Sequence, residues 1–274
     1  MGRYKVAAFA VGSILFLRLA IHFLEIVHAG GFATALFHAV SCRTDAAVSA
    51  RDPCHQARYA RKWALDPMPG LTLIRAHDLR WSLWKNGGGR TQELAVWPAG
   101  ASLATPRLDW RLARAECARP GPFSFFPGYD RLLMPLSGDL ALRLDPDAAP
   151  RRVRKGECAR FDGESTTSVE LPMGPVVDLN LLVARGLWRG TLLWSPLGRR
   201  RLLEDFDRGH LVMHIVAGDL RVRVSGEDEP HDLAACDTLW LRDARPGDVV
   251  ELSGLDDATT VALARIEPLR DARD

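Results

Sequence analysis

The sequence predicts an all-β protein, with two small barrels or jelly rolls in one chain. Three observations carry that expectation. From Leu71 onward apolar residues recur with period two, as in Leu140, Leu142 and Leu144 or Leu220, Val222 and Val224, the pattern of strands that bury one face. Gly, Pro and Asp turns separate the short runs, as in sandwiches and barrels. The chain also echoes itself. Arg131–Leu140 (RLLMPLSGDL) matches His210–Leu220 (HLVMHIVAGDL) with one insertion, so each copy reads as a β-hairpin closed by a Gly-Asp turn.

The elements follow in order. The first 67 residues carry eight Lys+Arg and four Asp+Glu, against 28 and 30 in the 207 that follow. Arg3 and Lys5 precede an uncharged run from Val6 to Leu17, which resembles a signal peptide or a weak anchor over residues 6–27. Arg18, His22 and Glu25 interrupt any longer span, and a transmembrane helix needs about 20 predominantly apolar residues. Residues 43–67 are polar, basic and aperiodic, and read as linker or disorder. Met68-Pro69-Gly70 stands just before the first strand, Leu71-Thr72-Leu73-Ile74. Three readings of residues 1–67 therefore stand open: a start codon placed too early, an export signal or anchor, and a helical or disordered extension. The expected divisions are 1–67 as extension, 68–195 as the first barrel and 196–274 as the second.

Further strands are expected over Val176–Val183, Leu239–Leu241, Val249–Leu252 and Val261–Ile266. Only Gly198–Asp207, with Arg199-Arg200-Arg201 and Leu202-Leu203, reads as a helical turn. Each repeat has a second turn about fifteen residues after its first, Lys155–Cys158 and Ala234–Asp237.

Composition narrows the function. With 36 Lys+Arg against 34 Asp+Glu, no field strong enough for a nucleic-acid surface is expected. Five Cys without a CxxC pair make neither a disulfide framework nor a zinc site. Cys117, Cys158 and Cys236 read as buried thiols. No histidine lies between His77 and His210, and His214 and His231 are isolated. No metal or other cofactor is expected.

Three stretches could carry chemistry. In Trp84-Lys85-Asn86-Gly87-Gly88-Gly89-Arg90-Thr91, followed by Glu93, three glycines allow positive φ and close approach of a ligand. The turn is either an anion nest or a tight hairpin with Trp84 in the core. Trp110-Arg111 and Gly121-Pro122-Phe123-Ser124-Phe125-Phe126-Pro127-Gly128-Tyr129-Asp130-Arg131 set aromatics and a hydroxyl beside arginines able to hold a carboxylate bidentately. The alternative ties Arg131 to Asp130 or another local acid. In Val176–Val183, period two puts Asp178 and Asn180 on one face, where they bind ligand or pair with Arg111, Lys85 or Asn86.

Together, WKNGGG at 84–89, WR at 110–111, GPFS at 121–124, FPG with DR at 126–131 and DLN at 178–180 resemble the HutD/Ves family. The blocks cover essentially all the chain after Met68. The resemblance implies a metal-free bicupin, two cupin barrels in one chain, associated with bacterial histidine utilisation as an accessory or governing component. It implies that Trp84, Lys85, Asn86, Thr91, Glu93, Arg111, Phe123, Ser124, Arg131, Asp178 and Asn180 line the first barrel's pocket. After Asn180 the chain reads Leu-Leu-Val-Ala-Arg, where relatives carry a Met and paired basic residues.

The expected function is cytoplasmic binding of a small carboxylate, urocanate or a formylated glutamate, with Lys85 and Arg111 on the carboxylate. Asn86 and Asn180 would orient it, and Phe123 and Trp84 would wall it. Two alternatives stand beside this: an isomerase or hydrolase with Glu93 or Asp178 as general base, and a stress-related interaction protein that uses the barrel as scaffold. Contact with a membrane is expected only if residues 6–27 are an anchor. Pairing of the barrels into a homodimer stays open.

Overall fold

The computed structural model describes residues 70–269 except 106, 206 and 207. The extension expected over 1–67, its apolar run and Met68 lie outside the described residues. Among the described residues no helix is long and apolar enough to cross a membrane.

The described chain is built from antiparallel strands. The early ones are β1 (Leu71–Ile74), β2 (Ser82–Leu83), β3 (Gly89–Trp97), β4 (Trp110–Cys117), β5 (Gly121–Pro122) and β6 (Tyr129–Ser137). There follow β7 (Leu140–Arg143), β8 (Arg151–Val153), β9 (Ala159–Asp162), β10 (Ser168–Glu170) and β11 (Val176–Ala184). The rest are β12 (Trp188–Pro196), β13 (Arg201–Asp205), β14 (Gly209–Ala217) and β15 (Leu220–Val224), then β16 (His231–Leu233), β17 (Thr238–Ala244), β18 (Val249–Gly254) and β19 (Thr260–Pro268). A 3₁₀ turn, Ala76–Asp78, is the one helical element among the described residues.

Two pairs of sheets make two barrels. The first sets the sheet β2-β3-β4-β11-β6-β9 against β5-β10-β7-β8; the second sets β1-β17-β14-β19-β12 against β13-β18-β15-β16. Sheet membership does not follow chain order at 195/196. Strands β1 and β12 both begin before that point and both lie in the second barrel, on β17 and β19.

Two local expectations are corrected. The Gly-Asp turns do not close hairpins: β6 pairs with β9 and β11 while β7 pairs with β8 and β10. Likewise β14 pairs with β17 and β19, and β15 with β16 and β18. Each Gly-Asp step is a corner between facing sheets. At the second corner Gly218 has φ +70 and a Cβ there would stand 2.6 Å from the Thr259 nitrogen, so the corner requires glycine. Residues 198–207 hold no helical turn among those described. Arg201–Asp205 forms β13 against β18, because that edge supplies partners that a local basic-apolar pattern cannot reveal.

Alternation then divides the apolar residues into three cores. Leu133, Leu140, Leu142, Val153 and Phe161 fill one end of the first lumen. Leu211, Met213, Ile215, Val222, Leu252 and Leu263 fill the second. Between the barrels pack Leu132, Met134, Leu179 and Leu181 with Val212, Trp240, Ala262, Ala264 and Ile266. There His210 sits among Trp97, Trp110, Trp188 and Trp240, with ring centroids 4.8 to 6.0 Å away. Burial lowers its pKa to about 4.

Candidate functional site

The inner faces of β4, β6 and β11 and the loop after β5 enclose a cavity of about 560 Å³ in the first barrel. That lies within the range of about 300–1,000 Å³ typical of small-molecule sites.

At its floor lies Arg131, only 5% exposed. Its guanidinium donates to the Ser124 carbonyl and to Asn180 Oδ1, both at 3.0 Å. The rings of Phe123, Phe126 and Phe161 stand 5.0 to 5.2 Å from its Cζ, close enough for cation–π attraction. Its Nε is buried without a hydrogen-bond partner. Burial lowers the guanidinium pKa to about 10, with Asp178 acting against the shift, so it remains a cation at neutral pH.

Below Asn180 lies Asp178, 1% exposed. Asn180 Nδ2 donates to Asp178 Oδ1, while Asp178 Oδ2 is buried with no partner. An amide has one donor end and one acceptor end; here the carboxyl holds the donor end, which turns the acceptor to Arg131. Burial raises the Asp178 pKa to about 7, against the Asn180 hydrogen bond and the Arg131 charge. Neighbouring Cys117 is pushed up to about 11 by burial and by the Asp178 charge.

The mouth is formed by the glycine-rich turn. Trp84 N donates to the Gly89 carbonyl at 3.0 Å, Asn86 Oδ1 accepts from Gly88 N at 2.9 Å, and β2 pairs with β3. The turn is thus a tight hairpin whose Gly88 N–H is already taken by Asn86. A Cβ at Gly89 would meet the Glu116 carbonyl at 2.3 Å, so β3 passes β4 too closely for a side chain. Trp84 Nε1 donates to Thr91 Oγ1 at 2.7 Å, and its ring meets Phe123 edge-on at 6.4 Å. Arg111 Nε donates to Glu93 Oε2 at 2.7 Å, and Lys85 is exposed at the rim.

Of the residues singled out in the sequence, Trp84, Lys85, Asn86, Thr91, Arg111, Phe123, Ser124, Arg131 and Asn180 line this cavity. Glu93 reaches it through Arg111, and Asp178 stands behind Asn180. Two expected pairings are corrected. Asp178 bonds to Asn180, because β11 carries both on one face two residues apart. Arg131 does not pair with Asp130, which points away and is held by Arg160 and Arg185 at 2.8 Å. Sequence reasoning missed Leu83 and Leu103 at the mouth, and Ala113, Ala115 and Leu182 on the walls; Phe126, part of the aromatic stretch singled out, also lines the cavity, beside Arg131. The alternation Arg111-Leu112-Ala113-Arg114-Ala115 was the available signal for the small residues. No local signal marks Leu103, which arrives on a loop. Among the described residues no group of three or more His, Cys, Asp or Glu is placed to hold a metal ion.

Fold and cavity together define a bicupin with an accessible polar lumen in its first barrel. The HutD family model matches residues 76–259, and the chain belongs to the HutD family. A Pseudomonas putida protein named for the hutC 3′ region is 38% identical over 139 residues, 50% of this chain and 70% of that protein. Protein Ves of Citrobacter koseri is 31% identical over 105 residues, 38% of this chain and 53% of its own length. The alignment thus spans about half of Ves. Among solved structures, HutD from Pseudomonas fluorescens SBW25 is 28% identical with a TM-score of 0.59, over 73% of this chain and all of that one. A conserved protein of unknown function from Pseudomonas aeruginosa PAO1 gives 28% and 0.64, over 72% and 99%. A mutant form of Bacillus subtilis oxalate decarboxylase, 9% identical at TM-score 0.52, covers 81% of this chain and 87% of its own and shares the fold alone.

Proposed function

We propose that the first barrel binds a small carboxylate metabolite, of the urocanate or formylated-glutamate type, as an accessory or regulatory component of histidine utilisation in the cytoplasm. The observation that carries this reading is Arg131, a buried cation that lines the cavity with no carboxylate bonded to it. A buried charge is costly unless paired, and an anionic ligand supplies the pair. The aromatic walls suit the body of such a ligand, and Asn180 and Ser124 fix the guanidinium that would meet its carboxylate. This moves the anchoring role from Arg111, which Glu93 already holds, to Arg131. The names of the Pseudomonas relatives support the metabolic setting.

Calorimetry of the full chain against urocanate and N-formyl-L-glutamate tests the reading. Saturable binding of at least one ligand is expected, with affinity weakened by at least about tenfold in a folded Arg131→Met variant. No heat from either ligand at millimolar concentration rejects it.

A further inference from the structure

We propose that Asp178 is a positioning residue of this site and that binding of an anion at Arg131 is coupled to uptake of one proton by Asp178. The inference rests on the carboxylate reading above. The two buried groups are joined through a single amide: Asp178 Oδ1 accepts from Asn180 Nδ2, and Asn180 Oδ1 accepts from Arg131. Without ligand, the lumen holds one cation and one carboxylate that do not touch. A ligand carboxylate brings a second negative charge into the same low-dielectric space, where like charges repel strongly.

Asp178 is the group placed to yield its charge. It is almost fully buried, and its Oδ2 has no partner to stabilise an anion. The charged or titratable groups acting on it are Arg131 from β6 and Cys117 from β4. Toward the mouth, Arg111 is engaged by Glu93 and Lys85 stands at the exposed rim. The remaining walls, with Leu142, Phe161 and Val169, are apolar. Burial already lifts the carboxyl to about 7 in the ligand-free chain, and a second anion acts in the same direction. Protonation leaves Oδ1 free to go on accepting from Asn180, so the amide keeps its orientation and Arg131 keeps its partner.

The test is calorimetry of the full chain with N-formyl-L-glutamate, whose carboxylates stay ionised near neutrality, in HEPES and in Tris at pH about 7.5, two buffers that differ in ionisation heat and offer no small oxyanion to the site. Net proton uptake is expected from the difference in heats. Affinity should fall by about tenfold per pH unit between the titrations of Asp178 in the free and loaded protein. Asp178→Asn keeps an acceptor for Asn180 and should bind with no proton uptake and a flat pH profile. If that variant fails to fold, the two-buffer measurement on the wild-type chain decides alone. Binding without net proton uptake, or an Asp178→Asn variant that keeps the wild-type pH slope, overturns the coupling and leaves the carboxylate reading standing. Absence of binding overturns that reading and the coupling with it.

Discussion

The two barrels share a strand plan and differ in what they put inside it. Leu133 pairs with Asn180 and Ala159 in the first, as Met213 pairs with Leu263 and Leu239 in the second. This register makes Arg131 equivalent to Leu211, Asp178 to Val261 and Asn180 to Leu263. The second barrel therefore has aliphatic side chains, all within its fully buried core, where the first has its cation, carboxyl and amide. The turn equivalence is equally close: Gly156 N donates to the Pro135 carbonyl at 2.8 Å, and Cys236 N to that of Ile215 at 2.7 Å. One barrel keeps a polar lumen with a cavity, while the other fills the same positions with aliphatic side chains. Two copies of one fold thus differ in chemistry through three side chains, and the fold alone does not set what each lumen can hold.

The largest test of this contrast moves the arginine across. Leu211→Arg should cost more than about 3 kcal/mol or prevent folding, since no amide or anion waits there for a buried cation. Chemical denaturation and soluble yield measure it; a stable variant would mean that the second lumen has room and polarity after all.

The next contrast is in pH. Asp178 has a folded pKa of about 7, above the ordinary carboxyl value, so its contribution to stability is complete below about 4 and is lost as pH rises through 7. His210 and His214 sit on the second barrel with pKa values lowered by burial to about 4 and about 3. Their contributions are present above about 6.5 and are lost as pH falls through those values. Thermal unfolding from pH 3 to 9 should show both losses, and Asp178→Asn should abolish only the alkaline one.

Smaller effects sharpen the picture further. Arg131→Met should lower carboxylate affinity by about 1.5–3 kcal/mol, the range for hydrogen bonds to charged groups, read by calorimetry. Its cost in stability should be about 1–3 kcal/mol, because the Ser124 carbonyl and Asn180 Oδ1 lose their buried donor. Smallest is Cys236→Gly. Cys236 adopts φ 70 where the first barrel has Gly156 at φ 78. Relief of that backbone should stabilise the second barrel by at most about 1 kcal/mol, measured by chemical denaturation.

Much of this was legible beforehand where the signal is local. Leu220, Val222 and Val224 announce a strand because alternate side chains must face one core, and Trp84 to Gly89 announce a tight turn because glycines are needed there. Strand partners are a different matter: alternation pairs β6 with β7, but it says only which residues share a face and nothing about which strand lies alongside. Gly198–Asp207 reads as a helical turn for the same reason, since β18, which makes β13 a strand, lies well down the chain.

By itself, then, the sequence determined the strongly alternating strands, the repeat and the placing of Asp178 with Asn180 on one face, all of which follow from residue periodicity and turn chemistry. Tertiary structure decided that β1 and β12 serve the second barrel, that Glu93 holds Arg111, and that Arg131 and Asp178 share one lumen across an amide. Strand pairing and desolvation are set by neighbours distant along the chain, and no local pattern records them.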